Sequence, residues 1–172
     1  MIEHRLIERM VALMRDRLEG LKAGAEPDTD FIERASDFLA VYADRCHHGK
    51  EEDILFRDLR DKDLTHEHRR VMDGLVSDHQ FARAQKRAML AASRRFAAGE
   101  QGAADEVRES LEALVNLYPD HIATEDDEFF PAAMEYLTQD EQAAMLEEFR
   151  EFDRQLIHET HKAIVEAMEQ DA

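Results

Sequence analysis

The chain has 172 residues, 44% apolar and 36% charged, which suits one domain with a true core and excludes a disordered tail. A formal charge of −18 sets it against nucleic acid and anionic membranes as partners, and no apolar run approaches the ~18 residues of a membrane span. A single cysteine, Cys46, permits no internal disulfide, and the start Met1-Ile2-Glu3-His4-Arg5 is unlike a secretory signal, so a cytoplasmic location is expected.

Apolar residues recur at helical spacing from Ile2 to Leu21, through Ile7, Val11, Met14 and Leu18. Gly24 and Pro27 punctuate the chain, and Asp28, Thr29 and Asp30 can cap a second helix. That helix carries Phe31, Phe38, Leu39 and Tyr42 and runs to about Leu59. A third is predicted from about His66 to Ala98, ended by Gly99 to Gly102. A fourth spans about Ala103 to Leu137, with the stripe Val107, Leu111, Leu114, Tyr118, His121 and Glu125. Thr138-Gln139-Asp140-Glu141 reads as a capping box opening a fifth helix to about Glu169. No alternating pattern suggests strands. The expected fold is all-α: an antiparallel up-down four-helix bundle with an added C-terminal helix. Residues 1–172 form one domain, with 1–137 the metal-binding bundle and 138–170 the extra helix.

The chemistry lies in histidines followed four residues later by glutamate, which places both side chains on one helix face. Four such pairs occur: His4/Glu8, His47/Glu51, His48/Glu52 and His121/Glu125. Position says more than the motif alone. The block from His47 through Glu51 to Leu55-Phe56 matches that from His121 through Glu125 to Phe129-Phe130, 74 residues later. His4 and His79 are 75 apart, so a two-helix unit is repeated. From His4 the chain climbs about 20 residues to its first loop and descends about 20 to His47, at ~1.5 Å per residue. The second repeat does the same. Four helices thus bring His4, His47, His79 and His121, with Glu51 and Glu125, to one layer of a bundle core, where metal sites are built. The donor set suits a pair of first-row ions, with iron the leading choice and manganese or zinc as substitutes. No Glu lies three residues before His47, His79 or His121, which argues against a ferritin-like oxidase.

These residues resemble the hemerythrin-like family of HHE cation-binding domains. Glu3-His4-Arg5, Cys46-His47-His48-Gly49-Lys50-Glu51-Glu52 through Leu55-Phe56, Asp78-His79, and His121 to Glu125 through Phe129-Phe130-Pro131 carry the likeness. The resemblance implies a non-haem di-iron centre with an oxo, hydroxo or water bridge. By it, His4 and His47 bind one iron, His79 and His121 the other, and Glu51 and Glu125 bridge. It implies O2, NO or peroxide as the small ligand. Respiratory hemerythrins carry a second third-helix histidine one turn from the first. Leu75 and Arg83 stand at that spacing from His79, which leaves redox, nitric oxide or iron-sensing roles beside oxygen binding.

Other residues carry narrower expectations. Glu8 is a candidate extra carboxylate, against a solvated one. Tyr118 is expected in the core, with an alternative as ligand or hydrogen-bond donor. His48 and Glu52, turned about 100° from His47 and Glu51, are expected behind the cluster or at the surface. Cys46 reads as a small buried residue, Pro119 as a kink, and His66 and His68 as solvated. His158 and His161 have no matching partner block. The fifth helix, through Phe149, Phe152, Leu156 and Ile157, offers a partner surface or a homodimer contact.

Overall fold

A computed structural model describes residues 2–170, with side-chain surroundings through Ile157. The described residues are helices and loops, without strands. Helix α1 is Ile2–Lys22. Helix α2 covers residues 29–60 and changes winding as it goes. It is α-helical over Thr29–Phe38, π-helical over Leu39–His48 and Glu51–Leu55, and α-helical again over Phe56–Arg60. Helix α3 is His66–Ala97. Helix α4 covers residues 103–134: α-helical Ala103–Ala123, π-helical Thr124–Phe129, then α-helical Phe130–Met134. Helix α5 is Gln139–Gln170.

The expected starts and stops have identifiable causes. The Phe31 N–H donates to Asp28 Oδ1 at 3.1 Å, and the His68 N–H to Thr65 Oγ1 at 3.1 Å, capping α2 and α3. The reciprocal pair at α5 forms, with Thr138 N–H donating to Glu141 Oε2 and Glu141 N–H to Thr138 Oγ1. Past α3, Gly99 turns at φ 100°, a conformation costly for any residue with a Cβ. Pro119 lies within an α-helical stretch that continues four residues beyond it.

The π-helical stretches are the departure from the expected pattern. Their i→i+5 bonding puts more residues in each turn, so successive side chains diverge by less than the ~100° of an α-helix. One falls on Glu51 and another on Glu125, the same point of both repeats.

Helices α1 to α4 pack as a ring, α1 against α4, α4 against α3, α3 against α2. Two apolar clusters fill it. One, toward the α1–α2 and α3–α4 loops, includes Met14, Leu39, Met89 and Leu111. The other, at the opposite end, includes Ile54, Phe56, Leu59, Met72 and Phe129. Between them lies the His/Glu layer. Helix α5 packs on the second cluster through Met145, Phe149 and Phe152. The face expected to be offered to partners is therefore partly spent on the chain's own core, while Ile157 stays 61% exposed. No described helix is long and apolar enough to cross a membrane.

Candidate metal centre

Each of α1 to α4 delivers at least one donor to the layer. His4 comes from α1, His47 and Glu51 from α2, His79 from α3, and His121 and Glu125 from α4. All six are buried, none more than 4% exposed. Their functional atoms converge. His4 Nε2 lies 2.9 Å from His47 Nε2 and 3.2 Å from Glu125 Oε2. His47 Nε2 lies 3.4 Å from Glu51 Oε1, and His79 Nε2 lies 3.4 Å from Glu51 Oε2. His121 Nε2 lies 3.3 Å from Glu125 Oε1. Each glutamate thus turns one oxygen toward the His4/His47 side and the other toward the His79/His121 side.

Burial without partners is the second observation. Both carboxylate oxygens of Glu51 and of Glu125 lack a hydrogen-bond partner, as do His79 Nε2 and His121 Nε2. Orphaned buried acceptors on this scale cost roughly 1–3 kcal/mol each, more when charged. A cation among them would satisfy them together. Without one, burial and the facing Glu125 push the Glu51 carboxyl well above its ordinary range. Burial also raises Glu125, but the imidazoles of His4, His79, His121 and His47 gathered around it outweigh that and hold its carboxyl low. The donor set fits a cation cluster.

The outer nitrogens show how the rings are aimed. His47 Nδ1 lies 3.1 Å from Glu3 Oε2, His79 Nδ1 2.7 Å from Glu52 Oε1, and His121 Nδ1 3.3 Å from Asp78 Oδ2. His4 Nδ1 stands 3.0 Å from Asp126 Oδ1, off the hydrogen-bonding line. A carboxylate accepts only, so it holds the proton on Nδ1 and leaves the Nε2 lone pair facing inward. The four acids follow the repeat: Glu3 and Asp78 precede the first histidine of each unit, and Glu52 and Asp126 follow each glutamate. Burial raises the Glu3 carboxyl, yet hydrogen bonds from His47 and Lys50 hold it at about 2. Burial likewise raises Glu52, which His79 and Arg83 hold at about 2.

Two neighbours of the paired donors lie close to the layer. His48 is not at the surface: it is 2% exposed, and its ring stacks on His79 with centroids 3.9 Å apart and planes 11° from parallel. Both its nitrogens are buried and unpartnered, and His48, His79 and His121 each offer a nitrogen to one point. Burial drives its pKa down to about 3, which keeps the ring neutral. The cause is the π-helical winding, which turns position 48 further toward the core than α-helical spacing allows. Glu52 stands behind the cluster, one of its two expected places, where it holds His79 and pairs with Arg83. The signal was in the sequence, as an acid beside each paired donor in both repeats.

The remaining candidates lie apart from the layer. Glu8 receives Arg5 through both carboxylate oxygens at 2.9 Å, on the surface. Tyr118 sits in the loop-side apolar cluster, as expected of a core tyrosine. Cys46 is half-buried, its Sγ 3.4 Å from Asp153 Oδ1, and burial pushes its thiol up to about 11. His66 is exposed, as expected, whereas His68 Nδ1 lies 2.8 Å from the Tyr136 hydroxyl and is not simply solvated. His158 and His161 lie outside the residues whose side chains are described.

A ring of helices that buries imidazoles and carboxylates in one layer, with their lone pairs converging, defines a cation-binding bundle. The hemerythrin HHE cation-binding domain matches residues 1–133, and the chain belongs to that family. It is also similar to an uncharacterized protein of Mycobacterium bovis and to uncharacterized proteins of two Mycobacterium tuberculosis strains. Each is 24% identical over 151 residues, covering 88% of this chain. The chain spans 58% of the length of these relatives. No solved structure matches it.

Proposed function

We propose that the protein holds a non-haem di-iron centre and binds a small oxidant or signalling gas there: oxygen, nitric oxide or peroxide. The division of each glutamate's oxygens between two sets of imidazoles carries this reading, because a single ion would use a carboxylate from one side. His4 and His47 would hold one ion, and His79 and His121, with His48 beside them, the other. Glu51 and Glu125 would be shared. Bound iron would supply a redox-active Lewis acid. The protein's own part is to turn the Nε2 atoms inward, fix the ring directions through the outer acids, and pack an apolar cluster on each side of the layer. A single cysteine and no disulfide suit the cytoplasm.

Metal analysis of the full chain expressed in iron-rich medium tests the reading. Close to two irons per chain, with a near-ultraviolet band that a chelator abolishes, is expected. Glu51→Ala and Glu125→Ala should each lose at least one iron. Stoichiometric zinc without iron, or one metal per chain, overturns the di-iron assignment. Catalytic consumption of peroxide, or metal-dependent capture of a partner, would assign the same cluster to an enzyme or to a regulator.

A further inference from the structure

A cavity of about 600 Å³ lies against one side of the His/Glu layer. Its apolar walls come from four helices: Ile2 of α1, Leu55 of α2, Phe130 of α4, and Met145, Leu146 and Phe149 of α5. Its inner end is lined by His47 and Glu51 of the cluster, whose side chains are all but buried. Small-molecule sites occupy roughly 300–1,000 Å³, with apolar walls and a few convergent polar groups. A diatomic gas needs only a small fraction of this space.

Charge decides what kind of molecule fits. Glu3 and Asp126 stand at the edge of the cavity. Among the described residues lining it, the one Lys or Arg is Lys50, whose ammonium is already held by Glu3 and, at 2.9 Å, by Asp153 Oδ1. Asp126 is itself paired with Arg5 at 2.9 Å, so an organic anion would find a chain of charge −18 and, among the described lining residues, no unpaired Lys or Arg to receive it. A strongly solvated cation would lose its water against Leu, Met and Phe side chains. We propose that the cavity binds a neutral, apolar organic molecule, about the size of three aromatic rings, and holds it beside His47 and Glu51. This rests on the di-iron reading only for what the ligand lies beside, not for its binding.

The neutral dye N-phenyl-1-naphthylamine tests this, paired with its sulfonated relative 8-anilino-1-naphthalenesulfonate, which has the same rings plus one negative charge. Both are titrated into the full-length protein as purified, with metal content measured on the same sample. The neutral dye should bind saturably, one per chain, and the sulfonate at least about tenfold more weakly. Leu146 is 55% exposed, so Leu146→Trp can fill the cavity's edge without burying strain. It should weaken the neutral dye at least about tenfold while metal content and melting temperature stay unchanged. No saturable binding, equal affinity for the two dyes, or full binding to Leu146→Trp overturns the proposal. Dye binding by a protein that holds no metal would sink the di-iron reading and leave the cavity's role standing.

Discussion

His48 stands where the repeat is broken. Shifted by the 74 residues that separate the blocks, it falls on Ile122, a buried apolar residue. His48→Ile would therefore make the two halves alike. Two opposed effects are expected. The metal-free protein should gain stability, by roughly 1–3 kcal/mol at most, because a buried ring with two unpartnered nitrogens is replaced by hydrocarbon. Iron content should fall, since the His79/His121 side loses an imidazole. Melting curves with and without chelator, beside metal analysis, read both. Unchanged iron would reduce His48 to a packing residue. The Glu52→Gln variant should weaken metal binding roughly 10–100-fold, as loss of an acid that aims a ligating histidine does. A competition titration against a chromogenic chelator measures it.

Much of this layer could be read from residue order. His4, His47, His79, His121, Glu51 and Glu125 stand out because block spacing and helix rise agree. His48 could not be placed that way, since its direction depends on a winding that α-helical geometry does not contain. The repeat was misleading there, because it equates His48 with an isoleucine. The outer acids were visible as neighbours of the paired donors, but which histidine each serves is decided across helices.

Among elements, α5 depends on one close approach. A Cβ on Gly49 would come within 2.8 Å of Phe152 Cζ, so the absent side chain is what lets α5 lie against α2. Beside it, Lys50 ties Glu3 of α1 to Asp153 of α5. Gly49→Ala should favour the helical backbone of α2 by ~0.5–1 kcal/mol, yet push the Phe152 ring away. The expected result is faster proteolysis within α5 at unchanged helix content; undiminished protection would mean that the ring rotates aside at no cost. The helix boundaries were legible because capping residues and glycines mark them: Asp28, Gly99 and Thr138 act where expected, and Thr65 caps α3 at its expected start. The docking of α5 was not, because nothing in an amphipathic stripe says whether it faces its own chain or another.

Across the whole molecule, a polar layer between two apolar clusters makes the cation part of the fold. A ligand present at 100 times its dissociation constant adds ~2.7 kcal/mol, and each kcal/mol moves the melting point of a chain this size by roughly 2–4 °C. Chelation under reducing conditions should thus lower the melting temperature by about 5–10 °C. An unchanged curve after verified metal removal would show that the layer tolerates its orphaned groups unaided.

Two of the four acids beside the histidines are exchanged between the repeats. His4 of the first unit faces Asp126 of the second, and His79 of the second is held by Glu52 of the first. The shared glutamates cross in the same way, Glu125 to His4 and Glu51 to His79. Neither pair of helices owns a complete set of donors, so neither can keep an ion once its counterpart has let go. The layer therefore behaves as a clasp that closes on both halves or on none. Loaded with metal, the chain should unfold in denaturant through a single transition that helix content and iron release report at the same midpoint. Stripped of metal, the two apolar clusters are free to melt separately, and the transition should broaden.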